Sequence, residues 1–221
     1  MNERSDALLT RFDGHSPLVE AFRTLRTNIR FSTLDKPVRT LLLTSTGPGE
    51  GKSTVSANLA IAMAQAGNHC VLVDADLRKP VLHKIFDLGN KLGLTNLLLG
   101  QKGLEEVLQS TSVAGVRLLA SGPLPPNPGE LLGSQAMQRI IDLLREEAEM
   151  VIFDAPPVVA INDAAVLASR MDGVLLVLSA GSVPREMALR AKSALEGVKA
   201  KILGVVMNNV KLTGSYGYYY Y

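Results

Sequence analysis

The sequence has little of what marks nucleic-acid-binding, disulfide-bonded or membrane-spanning proteins. Its 23 basic and 21 acidic side chains leave a formal net charge of only +2, and both signs are spread along the chain. No broad footprint for nucleic acid is therefore expected, because binding to phosphates needs clustered lysines and arginines. The single cysteine, Cys70, lies in an apolar run, which favours a reduced intracellular protein.

Long apolar runs are also missing. No stretch approaches the roughly 18 uninterrupted apolar residues of a membrane span, and the polar N-terminal residues MNERSD do not form a signal peptide. We therefore expect a cytoplasmic protein that reaches a membrane only through a partner. With 47% hydrophobic content, the 221 residues can bury one full core, so residues 1–221 are predicted to form a single domain.

Tyrosine is absent until the last six residues of the chain. Tyrosines used in packing would be spread through strands and helices. The tail over about residues 212–221 also lacks the apolar periodicity of a helix or strand, so we expect it to be a mobile extension. Two roles are open, a phosphoacceptor and a sticky aromatic end that docks a partner, and we favour the phosphoacceptor. The tyrosines are Tyr216, Tyr218, Tyr219, Tyr220 and Tyr221.

A glycine-rich segment near residue 50 has the context of a phosphate-binding loop. Residues 41–43 predict a buried strand and residues 55–66 a helix. Glycines between them let backbone N–H groups point at a phosphate, Lys52 adds a full charge, and the Ser53 hydroxyl suits Mg2+. Thr46 stands where the strict pattern has glycine, so a plain strand-to-helix turn is the alternative. The residues expected to bind nucleotide here are Gly47, Pro48, Gly49, Glu50, Gly51, Lys52, Ser53 and Thr54.

Two further apolar runs end in carboxylates. Residues 69–74 predict a strand that ends at Asp74, with Asp76 two positions later, and residues 150–154 have the form of a Walker B strand ending at Asp154. The carboxyl ends of parallel strands meet at one edge of a sheet, so these carboxylates should lie beside the phosphate loop. For Asp74 and Asp76, capping of the following segment is the alternative.

Strands that alternate with helices predict an α/β fold, a doubly wound, mainly parallel sheet covered by helices on both faces. Residues 81–115 predict short leucine-rich helical pieces, and the proline-rich residues 121–132 predict a loop. Asp163 is expected to be the N-cap of the next helix, and a role as a ligand is the alternative. Asn208, just past the last predicted strand, is either a reader of a nucleotide base or a turn residue.

An amphipathic helix is predicted over about residues 17–31, with Ser16 and Pro17 at its start. Glu20, Arg23 and Arg26 lie three residues apart and share one side of it. That side is either a solvated face or a subunit interface, since guanidinium groups suit the carboxylates of another chain.

Taken together, and in their order along the chain, these motifs resemble those of the bacterial tyrosine kinases, which are P-loop kinases that control capsule and exopolysaccharide export. That family shares its fold with MinD/ParA-like positioning ATPases, which carry a signature lysine where this chain has Gly47. The resemblance therefore favours a kinase over a positioning ATPase. The segments that carry it are residues 20–26 (EAFRTLR), 45–54 (STGPGEGKST), 74–80 (DADLRKP), 125–132 (PPNPGELL), 154–157 (DAPP) and the terminal tyrosines.

The mechanism hypothesis is an ATP- and Mg2+-dependent phosphoryl transfer. Lys52 would hold the β- and γ-phosphates, and Ser53, Asp76 and Asp154 would hold the metal. The resemblance implies that Asp74 is nearest the incoming phenol. Lys52, Asp74, Asp76 and Asp154 are thus the expected catalytic residues, and Asn208 completes the expected nucleotide site.

The resemblance also implies autophosphorylation of the tail in trans within a homo-oligomeric ring, with Glu20, Arg23 and Arg26 at the subunit contact. It implies regulation of exopolysaccharide or capsule synthesis or export, with protein tyrosines as substrates. The expected partner is a transmembrane activator, either a separate chain or a missing N-terminal part, that recruits the kinase to the inner face of the plasma membrane. The alternative function is a nucleotide-dependent assembly switch or scaffold ATPase without tyrosine kinase activity.

Overall fold

Seven strands form one sheet in the computed structural model, which describes residues 7–33 and 36–210. The strand order is β3-β4-β2-β5-β1-β6-β7, and every neighbouring pair is parallel except β3 with β4. The mainly parallel sheet confirms the expected α/β architecture. The strands are β1 (Thr40–Ser45), β2 (Cys70–Asp74), β3 (Leu108–Ser110), β4 (Val116–Leu119), β5 (Met150–Asp154), β6 (Gly173–Ser179) and β7 (Ile202–Asn208).

Helices cover both faces of the sheet, and each face has its own apolar core. Leu42 of β1 belongs to one core, whereas Leu41 and Leu43 belong to the other, because successive side chains of a strand point to opposite faces. The helices are α1 (Pro17–Phe31), α2 (Lys52–Ala64), α3 (Leu82–Ile85), α4 (Leu94–Leu98), α5 (Leu104–Val107), α6 (Pro128–Gly133), α7 (Gln135–Glu147), α8 (Asp163–Ala168) and α9 (Arg185–Gly197). Helices α1, α2 and α3 pack on the Leu41 face, and α7, α8 and α9 pack on the Leu42 face.

Helix α1 has the predicted start. The Ser16 hydroxyl accepts a hydrogen bond from the N–H of Val19 at 3.3 Å, and Pro17 occupies the first helical position, where its missing N–H costs nothing. Among the described residues, no helix is both long and apolar enough to cross a membrane.

Three local predictions are wrong. The proline-rich segment contains helix α6, which begins at Pro128 because proline suits the first turn of a helix. The short strand β3 lies where only helical pieces were expected. Asp163 is the first residue of α8 and not its N-cap, which is Asn162.

Candidate functional site

The topology brings the acidic strand ends to the phosphate loop. Strand β5 lies between β1 and β2, and in this register Asp154 stands opposite both Leu43 of β1 and Asp74 of β2. The loop that follows β1 leads into α2 at Lys52. The sheet thus places all three predicted aspartates at the carboxyl edge that carries the glycine-rich loop.

Lys52 lies among the carboxylates. Its Nζ is 3.1 Å from Asp76 Oδ2, 3.3 Å from Asp154 Oδ2 and 3.3 Å from the Ser53 hydroxyl. Burial alone lowers the pKa of Lys52, but Asp154, Asp76 and Asp74 outweigh burial and raise that pKa above its ordinary value. The side chain therefore carries a positive charge that partly neutralises the acidic cluster.

Asp154 is fully buried at the end of β5. Its Oδ1 accepts a hydrogen bond from the Ser56 hydroxyl at 3.3 Å. Burial raises the pKa of Asp154, and the nearby charge of Lys52 opposes that increase.

Asp74 and Asp76 each use one oxygen to hold the turn that follows β2. Asp74 Oδ2 accepts from the N–H groups of Val81 and Leu82, at 3.0 and 2.9 Å, and Asp76 Oδ1 accepts from the N–H of Lys79 at 2.9 Å. Each of these residues therefore caps the following turn with one oxygen and keeps its other oxygen at the site. Asp76 Oδ2 lies beside Lys52, and Asp74 Oδ1 is buried without a hydrogen-bond partner within the described part of the chain.

The environment of Asp74 disfavours its charged form. The carboxyl group is fully buried, and burial followed by repulsion from Asp154 raises the pKa of Asp74 to about 8. Its unpartnered oxygen nevertheless leaves a position at which a substrate hydroxyl could form a hydrogen bond.

The phosphate loop compensates for the threonine at its start. The Thr46 hydroxyl and the Gly47 N–H both donate hydrogen bonds to Glu50 Oε1. Gly49 and Gly51 have φ values of 82° and 87°, a left-handed conformation that glycine adopts without strain. The loop thus closes through a side-chain bond that a glycine at position 46 could not make.

Asn208 braces the same loop. It is the last residue of β7 and not a residue beyond it, and its Nδ2 donates to the Glu50 carbonyl oxygen at 3.0 Å. A Cβ at Gly51 would lie 2.0 Å from that Nδ2. The role of Asn208 as a reader of the base stays a prediction.

The donor set fits a nucleotide with Mg2+. Magnesium prefers oxygen ligands and is usually held by one or two carboxylates together with phosphates and water. Ser53, Asp76 and Asp154 provide such oxygens, and helix α2 begins at Lys52, where its N-terminal partial charge favours a phosphate. No group of three or more acidic, histidine or cysteine side chains among the described residues forms a metal cage of its own.

The predicted interface side of α1 is only partly exposed. Glu20 and Arg23 form an ion pair and have side-chain exposures of 41% and 44%. Arg26 instead donates from Nη1 to the Ala62 carbonyl of α2 at 3.0 Å. The interface role of these three residues stays a prediction.

Sequence reasoning missed an ion pair next to the acidic turn. Arg78 donates to Asp163 through Nε at 2.7 Å and Nη2 at 3.3 Å. The two residues are 85 positions apart, so no local pattern in the sequence pairs them. The five predicted phosphoacceptor tyrosines lie outside the described residues.

Comparisons with known proteins agree on one class. A family described as ParA, NUBPL iron-transfer P-loop NTPase, matches residues 37–215. The tyrosine-protein kinase YwqD of Bacillus subtilis is 46% identical over 202 residues, covering 90% of this chain and 85% of that protein. The putative tyrosine-protein kinase CapB of Staphylococcus aureus is 36% identical, covering 93% and 90%. The solved kinase domain of the Escherichia coli tyrosine kinase ETK superposes with a TM-score of 0.85 at 31% identity, covering 97% of this chain and 84% of that one.

Proposed function

Because the chain belongs to the bacterial tyrosine-protein kinases, within the ParA-type P-loop NTPases, we propose that it transfers the terminal phosphoryl group of ATP to the tyrosines of its own tail, in trans. The observation that carries this proposal is the convergence of Lys52, Asp76 and Asp154 beside a buried Asp74 that keeps one oxygen unpartnered. The names of the relatives favour this function over a nucleotide-driven assembly switch without kinase activity.

The nucleotide would be held by the phosphate loop. The backbone N–H groups of residues 47–54 and the Lys52 ammonium suit the β- and γ-phosphates. Bound Mg2+ would neutralise charge on those phosphates, with Ser53, Asp76 and Asp154 as its protein-side oxygens. Catalysis in this class is mainly positioning and charge neutralisation, which matches a site built from one loop and two strand ends.

Asp74 would receive the phenol. A tyrosine hydroxyl has a pKa near 10, so a hydrogen-bond acceptor at the attacking oxygen assists it. As the phenol oxygen bonds to the terminal phosphorus, the bond from that phosphorus to the bridging oxygen breaks, ADP leaves, and Asp74 Oδ1 accepts the phenol proton. The unpartnered Oδ1 is available for this contact.

The resemblance to the family supports a proposed setting for the kinase. We infer a homo-oligomeric ring with Glu20, Arg23 and Arg26 at the contact, a transmembrane activator that recruits the kinase to the inner face of the membrane, and a role in capsule or exopolysaccharide synthesis. The half-exposed ion pair of Glu20 and Arg23 supports the first inference.

Mass spectrometry tests the reaction directly. The purified chain is treated with phosphatase, freed of it, and then incubated with ATP and Mg2+. Successive additions of one phosphate within residues 216–221 are expected. ATP hydrolysis without any phosphotyrosine would instead favour the assembly switch.

A further inference from the structure

A cavity of about 540 Å3 opens between helix α4 and the proline-rich segment, among residues that have no role in the site above. Its volume lies within the range of about 300–1,000 Å3 typical of ligand pockets. Leucine and proline side chains form much of its wall, including Leu99, Leu124 and Pro126. We call it the proline cavity.

The proline cavity lies on the same sheet edge as the phosphate loop. It is built on the segment that follows β4, and the N–H of Thr95 donates to the Ser121 carbonyl at 2.9 Å, which fixes α4 to that segment. Strand β4 is parallel to β2 and adjacent to it, so its carboxyl end is about 4.8 Å from the strand that carries Asp74.

One ion pair connects a wall of the cavity with the acidic turn. A Cβ at Gly129 of α6 would lie 2.8 Å from Asp163 Oδ1, so α6 packs directly on that carboxylate. Asp163 binds Arg78, and the N–H of Arg78 donates to Asp76 Oδ1 at 3.3 Å. The cavity wall is therefore built onto the turn that positions Asp76.

The surroundings of the cavity favour a neutral, partly apolar ligand that carries a hydroxyl. Leu124 and Leu99 are 60% and 51% exposed, which is a large apolar surface for side chains beside a cavity. The amide side chains of Asn96, Gln101 and Asn127 also line the cavity and supply neutral hydrogen-bonding groups for a ligand hydroxyl. The described lining residues include one carboxylate, Glu130, and neither lysine nor arginine.

These properties match the side chain of an unmodified tyrosine. A phenol ring packs on leucine and proline, and its hydroxyl finds polar partners when buried. A phosphotyrosine carries a charge of roughly −1.5 to −2 and meets a carboxylate with no lining cation to offset it. The cavity should therefore bind an unmodified tyrosine, the acceptor of the phosphoryl group, more tightly than the phosphotyrosine that the reaction produces.

We propose that the proline cavity binds one tyrosine of the tail segment 214–221 while another tyrosine of that segment occupies the position beside Asp74. The proposal rests on the proposed kinase function. In the subunit that accepts the tail, β4 is one strand spacing, about 4.8 Å, from the strand that carries Asp74. The eight residues 214–221 extend at most about 26–29 Å, so one segment is long enough to occupy both positions. A tyrosine that has been phosphorylated beside Asp74 would no longer fit the cavity, so successive transfers would release the segment.

The test uses the full chain with Tyr216→Ala, Tyr218→Ala, Tyr219→Ala, Tyr220→Ala and Tyr221→Ala, so that its own tail does not compete. The acceptor is the peptide GSYGYYYY, the sequence of residues 214–221. Peptide phosphorylation gives kcat and KM, and fluorescence titration gives the Kd of the unmodified and the tyrosine-phosphorylated peptide.

Leu124→Glu and Leu99→Glu are the variants, because both side chains are more than half exposed and tolerate replacement. Leu143→Glu is the matched control, since Leu143 is 47% exposed on α7 and does not line the cavity. We expect the KM and Kd of the peptide to rise at least about tenfold in both variants from lost apolar contact, with kcat, the KM of ATP and the control unchanged. The phosphorylated peptide should bind the unsubstituted cavity at least about tenfold more weakly than the unmodified one.

The outcomes separate the two proposals. Phosphorylation of the peptide with the same KM in both cavity variants would overturn docking and leave the kinase function standing. A second outcome is that the protein binds the peptide but transfers no phosphate to it, and that both cavity variants abolish the binding. This outcome would support docking and overturn the kinase function. An equal loss in Leu143→Glu, or equal binding of the phosphorylated peptide, would also contradict docking.

Discussion

Asp74 and Asp154 stand directly opposite each other in the register of β2 and β5, and both are fully buried. Two ionised carboxylates at neighbouring strand positions would repel strongly in a low-dielectric interior, and this repulsion adds to burial in raising the pKa of Asp74. The arrangement is stable because Lys52 lies beside Asp154 and two backbone N–H groups bind Asp74. The fold thus maintains an acidic pair beside the phosphate loop, which a bound cation would stabilise further.

Replacement of Lys52 should remove phosphoryl transfer. Lys52→Met keeps the length of the side chain and deletes its charge, so the phosphates lose a cation and the acidic cluster loses its partner. We expect tail phosphorylation, measured by mass spectrometry, to fall by a factor on the order of 10²–10³. The control Lys192→Met removes a lysine that is 58% exposed and should leave the rate unchanged. Undiminished phosphotyrosine in Lys52→Met would refute the assignment.

Replacement of Asp74 should abolish transfer without destabilising the fold. In Asp74→Asn the amide oxygen can still accept from Val81 and Leu82, and the side chain can no longer ionise beside Asp154. Phosphotyrosine should be lost, and the melting temperature should stay equal or rise. Asp142→Asn, at a side chain that is 57% exposed, is the control for both measurements. A large fall in melting temperature would show that the Asp74 carboxylate serves structure rather than chemistry.

Stability should depend on pH through Asp172. Its Oδ2 accepts from the N–H groups of Arg39 and Thr40, at 3.0 and 2.8 Å, and its Oδ1 accepts from Arg145 at 3.0 Å. Burial alone would raise the pKa of Asp172, but the hydrogen bonds from Thr40 and Arg39 and the charge of Arg145 outweigh it and lower that pKa. A depressed carboxyl pKa stabilises the fold above the unfolded value of about 4, and that stabilisation disappears as the pH falls through the folded pKa.

Asp172→Asn should therefore lower the free energy of unfolding by about 1 kcal/mol at pH 7, a modest value because solvent partly screens the group. The difference from the unsubstituted chain should shrink as the pH falls from 4 towards 2. Urea denaturation across this range measures it, with Asp142→Asn as the exposed control. An equal difference at every pH would exclude the ionised carboxylate as the cause.

The bond between Thr46 and Glu50 should matter for nucleotide affinity. Thr46→Val removes the hydroxyl that donates to Glu50 Oε1 and leaves a buried carboxylate with one donor fewer. Loss of a buried partner costs roughly 1–3 kcal/mol, so the loop should loosen and the Kd of ATP should rise about fivefold or more. Thr46→Ser keeps a hydroxyl and should bind ATP normally. Equal affinity in both variants would mean that the bond does not shape the loop.

The site was predictable where its residues follow strand ends. Asp74 and Asp154 could be placed together because each closes an apolar run and parallel strands share one edge. Lys52 and Ser53 could be placed because glycine-rich loops between a strand and a helix bind phosphates.

The unpredicted features depend on contacts distant in sequence. The bond between Arg78 and Asp163 needs the end of β2 and the start of α8 to meet, which neither local pattern states. The cavity likewise forms only where α4 lies against the segment after β4. The helix at Pro128 was missed because proline content predicts a loop, although proline is also common at the first turn of a helix.

Phosphorylation of the tail should weaken the proposed ring. Five phosphates at roughly −1.5 to −2 each would change the formal net charge of the chain from +2 to about −5.5 to −8. A tail with that charge is repelled by ATP phosphates and by Asp74, Asp76 and Asp154, so it should leave the site of a neighbouring subunit. Light scattering should give a smaller mass after incubation with ATP and Mg2+ and a larger mass after phosphatase. The chain with all five tail tyrosines replaced by phenylalanine should keep the larger mass throughout, and an unchanged mass in the unsubstituted chain would show that the ring does not respond to tail charge.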